Sequence, residues 1–467
     1  MQVAVVLLLL CIIAVAPSAF APFAAALPAT VASNLPEQVH VVFGGTRLLR
    51  PTSYVIQFVT LGNNAAASFV QFGLAPDPAA LTTTVLGEDM PVLFTDADGA
   101  SSEAAPCAQH ERFLHSVVLN DLPQGTTVYY RAACHADGPW SDVFALKTVN
   151  HTAPRLVASV FGDMGSQMDV TSIPMLIQDT KAGAHDLVIH YGDIAYGPPN
   201  DCGASSDGFL NDIQPIAASV PYIFGVGNHE SESEAANHTA RYKYHNFLMR
   251  YGGQHALAAA SGSSSIRYFS FNVQRVHFVL LDTDAWVLPE VWSLVKPQIQ
   301  FLEKDLASVD RSETPWIVVM GHRAMYCTKA ADAECNDEAE AIRYGFGNPQ
   351  HGIERLLLQY GVDLYLSGHT HHYMRTHPVA QGKLIQRSYV NFRGKGVVHV
   401  QSGVGGVASP DPFTVPPREY DAFWDASYAR GWARLTFWND THLEVEQYNA
   451  VDHSLVDSFT IVQNSYL

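Results

Sequence analysis

Five separate apolar runs in this sequence end the same way, in a glycine followed by side chains able to hold a metal ion. After 156-LVASVF-161 comes GDMG with Asp163, and after 187-LVIHY-191 comes GDIAY with Asp193 and Tyr196. After 222-YIFGV-226 comes GNHE with Asn228 and His229, and after 316-WIVVM-320 comes GHR with His322. The run 362-VDLYL-366 leads into Ser367 and GHTHH with His369, His371 and His372. Short valine- and isoleucine-rich runs bounded by glycine are the pattern of buried strands. In open sheets with helical crossovers, ligands collect beyond the carboxyl ends of the strands. The chain is thereby constrained to a sheet with one edge converging on a metal centre.

The residue types narrow the chemistry. Carboxylate and phenolate oxygens suit a ferric ion, whereas nitrogen-rich ligands suit a divalent one. Two cations about 3.5–4 Å apart can polarise a phosphoryl oxygen and neutralise charge in an in-line displacement. A shared carboxylate is needed to hold them that close, and glycine beside each ligand lets the backbone crowd them. Phosphate ester hydrolysis is the expected reaction class. No Ser/His/Asp or Cys/His arrangement competes for it, and Cys202, near 192-GDIAY-196, has no evident base partner. His372 is read as an ordinary neighbour.

At 467 residues the chain exceeds a single core, so two domains are expected. Over 36–148 the pattern has period two, in segments such as 53-SYVIQFVTL-61, 115-HSVVLNDL-122 and 126-TTVYYRAAC-134. This predicts a small antiparallel sandwich similar to a fibronectin type III domain, a likeness carried by 119-LNDLPQGTTVYYR-131. The polar stretch 147-KTVNHTAP-154 follows. From 154 onward strands alternate with helical patterns such as 172-SIPMLIQDTKAG-183 and 352-GIERLLLQYG-361, which predicts a largely parallel or mixed sheet covered by helices.

Lys and Arg number 27 against 45 Asp and Glu, a formal charge of −18, which argues against nucleic acid or an anionic membrane as partner. Residues 1–26 read as a secretory signal, with 3-VAVVLLLLCIIAVA-16 as its apolar core and a cleavage site near Ala26; Pro22 blocks cleavage after Ala21. Export to the extracellular space, or to a lysosome- or vacuole-like compartment, agrees with three glycosylation sequons at Asn150, Asn237 and Asn439. Cys107 with Cys134 and Cys327 with Cys335 are plausible disulfides, which leaves Cys202 free or paired between chains.

Taken together, GDMG, GDIAY, GNHE, GHR and GHTH, in this order and spacing, resemble the purple acid phosphatases of the metallophosphoesterase superfamily. The resemblance runs from about residue 36 to the end. It implies an N-terminal all-β, fibronectin III-like sandwich over 36–148 and a calcineurin-like α/β metallophosphoesterase domain over 154–467, a βαβαβ-based sheet sandwich covered by helices. By the same resemblance Asp163, Tyr196 and His371 bind Fe(III), with Tyr196 as the phenolate that gives the colour. Asp193 bridges, and Asn228, His322 and His369 complete a divalent site for Zn, Fe or Mn. His229 resembles the catalytic histidine that contacts the substrate phosphate.

The implied activity is that of a secreted acid phosphatase. A metal-bound hydroxide would attack phosphate monoesters, in small molecules or phosphoproteins. A phosphodiesterase or nucleotide phosphohydrolase with the same centre, or a redox-active di-iron protein, is the alternative. A homodimer is common in the family. Plant-type members carry further histidines after GHR, and 321-GHRAMYCTKAADAEC-335 has none; it resembles the animal and protist iron/zinc type. The leaving-group acid is therefore unassigned. Met374 stands where a glutamate is usual, and 402-SGVGG-406 matches the family's glycine-rich segment only in part, whereas 429-ARGWARLTFWNDTHLEVEQY-448 matches its ending better.

Overall fold

Alternation along the central strands sorts their side chains into two apolar layers, because successive residues of a strand point to opposite faces. Val276, Phe278 and Leu280 join one buried cluster while Val279 and Leu281 join another; Trp316, Val318 and Met320 separate in the same way from Ile317 and Val319. The first layer lies between two sheets and the second lies under helices. The computed structural model describes residues 34–45, 52–61, 67–88, 92–94, 112–165, 171–196, 203–231, 244–327, 333–407, 417–427 and 429–464.

The N-terminal part holds β1 (Glu37–Phe43), β2 (Tyr54–Thr60), β3 (Phe69–Gly73), β4 (Thr83–Leu86), β5 (Val92–Phe94), β6 (Arg112–Leu119), β7 (Thr127–Ala133) and β8 (Phe144–Lys147). They form two four-stranded sheets, β1-β2-β6-β5 and β4-β3-β7-β8, antiparallel throughout, as the period-two pattern predicts. Val41, Ile56, Val70, Val117 and Val128 fill the space inside.

The C-terminal part opens with β9 (Leu156–Phe161), α1 (Ile173–Ala182), β10 (Leu187–Tyr191), α2 (Ala204–Ala217) and β11 (Tyr222–Gly225). After α3 (His245–Arg250) and α4 (His255–Ser261) come β12 (Phe269–Val273), β13 (Val276–Leu281), α5 (Val295–Ala307), β14 (Trp316–Gly321), α6 (Ala333–Tyr344), α7 (Glu354–Gln359) and β15 (Leu364–Ser367). The chain then runs through β16 (Tyr373–Thr376), the short pair β17 (Val379–Ala380) and β18 (Lys383–Leu384), β19 (Val398–Ser402), β20 (Asp421–Trp424), β21 (Gly431–Phe437), β22 (His442–Asn449) and β23 (Leu455–Val462).

Two mixed sheets result, ordered β11-β10-β9-β21-β22-β23 and β12-β13-β14-β15-β19-β16-β20. Strands β9, β10 and β11 run parallel in the first, as do β13, β14, β15 and β19 in the second. Phe278 and Trp316 of one sheet pack on Phe437 of the other, with ring centroids 5.9 and 6.1 Å apart. Val295, Ile299 and Leu302 of α5, with Leu356 and Leu357 of α7, cover the outer face of the second sheet. On the first sheet, α1 is tied down by Asp179, which takes Arg434 of β21 at 2.6 Å.

Cys327 and Cys335 are bridged, as the sequence suggests. The other expected pair is not made: Cys134 is a buried free thiol 3.5 Å from the Asn34 carbonyl oxygen. Cys107, Cys202, residues 1–26, expected to be a signal, and the Asn237 sequon lie outside the described residues. Asn150 and Asn439 are exposed. No helix among the described residues is long and apolar enough to cross a membrane.

Three histidines far from the strand ends are buried and held neutral. His115 sits between Thr60 and Ser68 and stacks on Phe58, and burial pushes it down to about 4. His185, between Ser159 and Thr180, is pushed down to about 3 by burial and then by Arg434. His399, against Tyr326 and Tyr365, is pushed to about 3 by burial and then by Arg343. Each folded value lies below the ordinary one, so the unfolded chain binds more protons between about pH 6.5 and pH 3. Stability is full above that window and erodes as pH falls into it, by about 1.4 kcal/mol per histidine per unit. The thermal midpoint is therefore expected to fall between pH 7 and pH 5; a level or rising midpoint in a scan across that range would refute this account.

Candidate metal centre

Strands β9, β10 and β11 in one sheet, and β14 and β15 in the other, all end at the same edge; a glycine directly follows β9, β10 and β15, β14 ends on Gly321, and Gly227 comes one residue after β11. These glycines are required by space. A Cβ on Gly368 would stand 2.3 Å from Asp163 Oδ2, one on Gly227 2.3 Å from Asp193 Oδ1, and one on Gly192 2.6 Å from His322 Nδ1. Backbone is thereby packed directly on the functional side chains. Asp163, Asp193 and His369 all adopt positive φ, 62°, 48° and 70°, a region that non-glycine residues seldom enter and that is typical of strained functional turns.

Two groups of donor atoms result. In the first, Tyr196 Oη, Asp163 Oδ1 and His371 Nε2 are mutually 3.3 Å apart. In the second, His322 Nε2 lies 3.1 Å from Asn228 Oδ1 and 3.2 Å from Asp193 Oδ2. His369 belongs to the same group: one donor atom each from Asp193, His322 and His369 fall within 4.8 Å of one another. The seven residues singled out in the sequence are thus brought together. His229 stands at the rim, its Nε2 3.8 Å from Asp193 Oδ2 and its ring 4.5 Å from that of Tyr196. Its side chain is 27% exposed, close to the 24% of His369 and of His371 and against 2% for Asp193, so the three histidines form the open side of the site.

The electrostatics call for positive charge. Burial alone would raise the Asp193 carboxyl, but His322 and then His229 overcome that and hold it below the usual range. Burial would lower His322, yet Asp193 and then Asp163 push it up to about 10. The Tyr196 phenol is driven far up, by burial and then by Asp163 and Asp193, so a phenolate there requires a cation beside it. His369 is lowered by burial and then by Arg323; burial would lower His371 as well, but its bond to Asp163 together with the charges of Asp163 and Asp193 raises it. Donor atoms that share one cation at about 2.1 Å stand about 3.0–3.4 Å apart, the spacing found here. The residues present fit two adjoining cations.

Several supporting residues carry no role in the sequence reading. Glu230, within GNHE, is buried and accepts backbone N–H groups from Asp193 (2.9 Å), Ile194 (2.8 Å) and Gly227 (2.8 Å), which locks two ligand loops to each other. Burial and then Asp193 push its carboxyl up to about 8. Arg323 of GHR bonds Asp284 at 2.5 Å, Glu338 and His369. The 402-SGVGG-406 segment packs on the GDMG turn, Gly405 N–H to Gly162 O at 3.0 Å and Gly406 N–H to Asp163 O at 2.8 Å. Only Glu230, Arg323 and that glycine segment sit in stretches that had already drawn notice.

A strand-edge site of this kind, between two sheets with helices outside, defines a calcineurin-like phosphoesterase. Residues 159–373 match the family model described as calcineurin-like phosphoesterase; 36–148 match the purple acid phosphatase N-terminal domain, and 396–458 match the iron/zinc purple acid phosphatase-like protein C domain. The chain belongs to the purple acid phosphatases. It is 32% identical to human acid phosphatase type 7 over 443 residues, covering 92% of both chains. It is 30% identical to Arabidopsis thaliana purple acid phosphatase 18, covering 88% of this chain and 80% of that one. In three dimensions it is similar to a purple acid phosphatase from yellow lupin (Lupinus luteus) seeds, TM-score 0.68 at 22% identity, over 93% of this chain and 75% of the other.

Proposed function

We propose that this chain is an exported acid phosphatase that hydrolyses phosphate monoesters at a dinuclear centre. Asp163, Tyr196 and His371 would hold a ferric ion, Asn228, His322 and His369 a divalent one, and Asp193 both. The observation that carries the reading is the pair of donor triads, one with 3.3 Å spacings around Asp163 and one around His322, next to a single Asp193. When bound, such a pair polarises a phosphoryl oxygen and supplies an acidified water as nucleophile.

The chain's own residues do the rest. Asp193 fixes the distance between the two halves and accepts the His229 backbone N–H at 3.0 Å, which sets the His229 loop against the centre. His229, half-buried at the rim, donates to a phosphate oxygen and orients the ester. Glu230 keeps the Asp193 and Asn228 loops from parting when the substrate's charge arrives. Residues 1–26 would direct export and be removed near Ala26, and Asn150, Asn237 and Asn439 would carry glycans.

The test is phosphate release from an aryl monophosphate and an aryl phosphodiester, from pH 4 to 8, for wild type and His229→Ala. A maximum below neutrality on the monoester is expected. His229→Ala should lose about 10²-fold in turnover, the worth of one preorganised donor, with its metal content kept. Faster release from the diester would overturn the monoesterase assignment, and no release from protein that holds both metals would overturn the hydrolase.

A further inference from the structure

Under α5 and α7 the outer face of the second sheet is apolar, but at β12 and β13 it turns polar. Ser270 of β12 and His277 of β13 reach Asp305 at the end of α5. The Ser270 hydroxyl donates to Asp305 Oδ1 at 2.6 Å, and a His277 ring nitrogen lies 2.8 Å from Oδ2. The other ring nitrogen is 2.6 Å from Asn272 Oδ1. Ser270, His277 and Asp305 are 6, 5 and 8% exposed. This buried network lines a cavity of about 300 Å³, the size of a small-molecule site rather than of a single trapped water. Leu257 and Ala260 of α4, with Val309, give the same cavity an apolar wall. His277 pairs with Ile317 near the start of β14, so the cavity lies at the amino ends of the parallel strands, about 13 Å along β14 from the end that carries the centre. It adjoins the sandwich, where the ring of Phe271, another lining residue, stands 5.9 Å from that of Phe43. Joints between domains are common places for ligand sites.

The wall's free valences select the ligand. A carboxylate offers about four lone-pair positions. Two donors occupy Asp305, so it still accepts. His277 has protein at both nitrogens and offers nothing to a solute. No lysine or arginine among the described residues lines the cavity, whereas Asp310, an exposed lining residue, adds a second carboxylate. An anion would meet two carboxylates and no free cation. A protonated amine would meet the same two carboxylates with its hydrocarbon part on Leu257, Ala260 and Val309, and the chain's formal charge of −18 would draw it in. We propose that this cavity binds a small primary amine with an apolar body, its ammonium bonded to Asp305 and facing Asp310. The site is separate from the metal centre and does not rest on the phosphatase reading.

The experiment uses the full metal-loaded chain at neutral pH, with inorganic phosphate present to occupy the centre. Benzylamine is titrated by calorimetry beside benzyl alcohol and benzoate, which keep the ring and change the charge. Saturable binding at one site per chain is expected for benzylamine, weaker binding for the alcohol and none for benzoate. Asp305→Asn should weaken the amine about 10–100-fold, the worth of a hydrogen bond to a charged group. Ala260→Phe, which fills the cavity and leaves the polar network intact, should abolish binding. Glu313→Gln, exposed on the same loop and outside the lining, should not change it. Turnover of an aryl phosphate by Ala260→Phe within a few fold of wild type shows that this variant is folded. No saturable binding of benzylamine, or equal binding of benzoate, would overturn the proposal. So would wild-type affinity in both Asp305→Asn and Ala260→Phe, which would place the amine elsewhere. Failure of the phosphatase reading shows separately, as a wild type that takes up the amine and releases no phosphate.

Discussion

Asp193→Asn should lower turnover by at least about 10²–10³-fold, the worth of a single preorganised charge in an active site, and should take bound metal with it. The substitution keeps the shape of the side chain and removes what the position needs. Asp193 is 2% exposed; Oδ1 accepts the His229 N–H at 3.0 Å, and Oδ2 faces His322 Nε2 at 3.2 Å and His229 Nε2 at 3.8 Å. An amide offers one oxygen and an NH₂ group, which has no lone pair for a cation and presents donors to a histidine. Only one half of the centre can then be served. The checks are kcat on an aryl phosphate, iron and zinc per chain, and a thermal scan to show that the fold persists. A variant that keeps both metals and turns over within tenfold of wild type would remove Asp193 from the bridging role.

That prediction could be written from the sequence because Asp193 comes two residues after the strand that carries it, and every other ligand lies within five residues of a strand end. A valine-rich run, a glycine and a ligand are contiguous, so the buried strands of β9, β10, β14 and β15 announce their own contribution. Partners from distant elements announce nothing. Glu338 is one acidic residue among several on α6, and only its packing against Arg323 and His369 distinguishes it. Glu230 lies inside a quoted motif, yet its work is done on backbone N–H groups of another loop, which side-chain identity does not reveal. The Cys134 pairing failed for a related reason: proximity along the chain says nothing of where a thiol points, and this one meets the Asn34 carbonyl. Likewise β21 alternates as a strand should, but its insertion between β9 and β22, which joins the two halves of the first sheet, depends on pairing across more than half the chain.

The second large effect concerns how the sandwich is held to the catalytic part, and there the expected outcome is a loss of stability of about 3–5 kcal/mol for Asp207→Ala. Asp207 on α2 accepts from Arg112 of β6, from Arg250 of α3 at 2.6 Å and from Gln38 of β1 at 3.0 Å. Both guanidinium groups are 1% exposed, while the carboxylate is 22% exposed. A buried ion pair often contributes little relative to an apolar contact of the same shape, but removing one partner leaves the other charge buried without it. Here one deletion strips the facing carboxylate from two arginines. Burial would raise the Asp207 carboxyl, but Arg250 and then Arg112 prevail and hold it below the ordinary range. Its folded value is the lower one, so its contribution is present above the ordinary aspartate value near 3.8 and is lost only as pH falls through the folded value. In mild acid the knot is intact while His115, His185 and His399 are already weakening the fold, so the variant should be penalised equally at pH 7 and pH 5. Because Asp207 touches none of the strand-end donors, kcat per folded molecule should stay within a few fold of wild type at low temperature. Urea titrations at both pH values decide the matter: a midpoint unchanged from wild type would mean that the sandwich is held by its apolar contacts and its other polar links, among them Val39–Gln214, Tyr130–Ala218, Lys147–Ser219 and Lys147–Asp186.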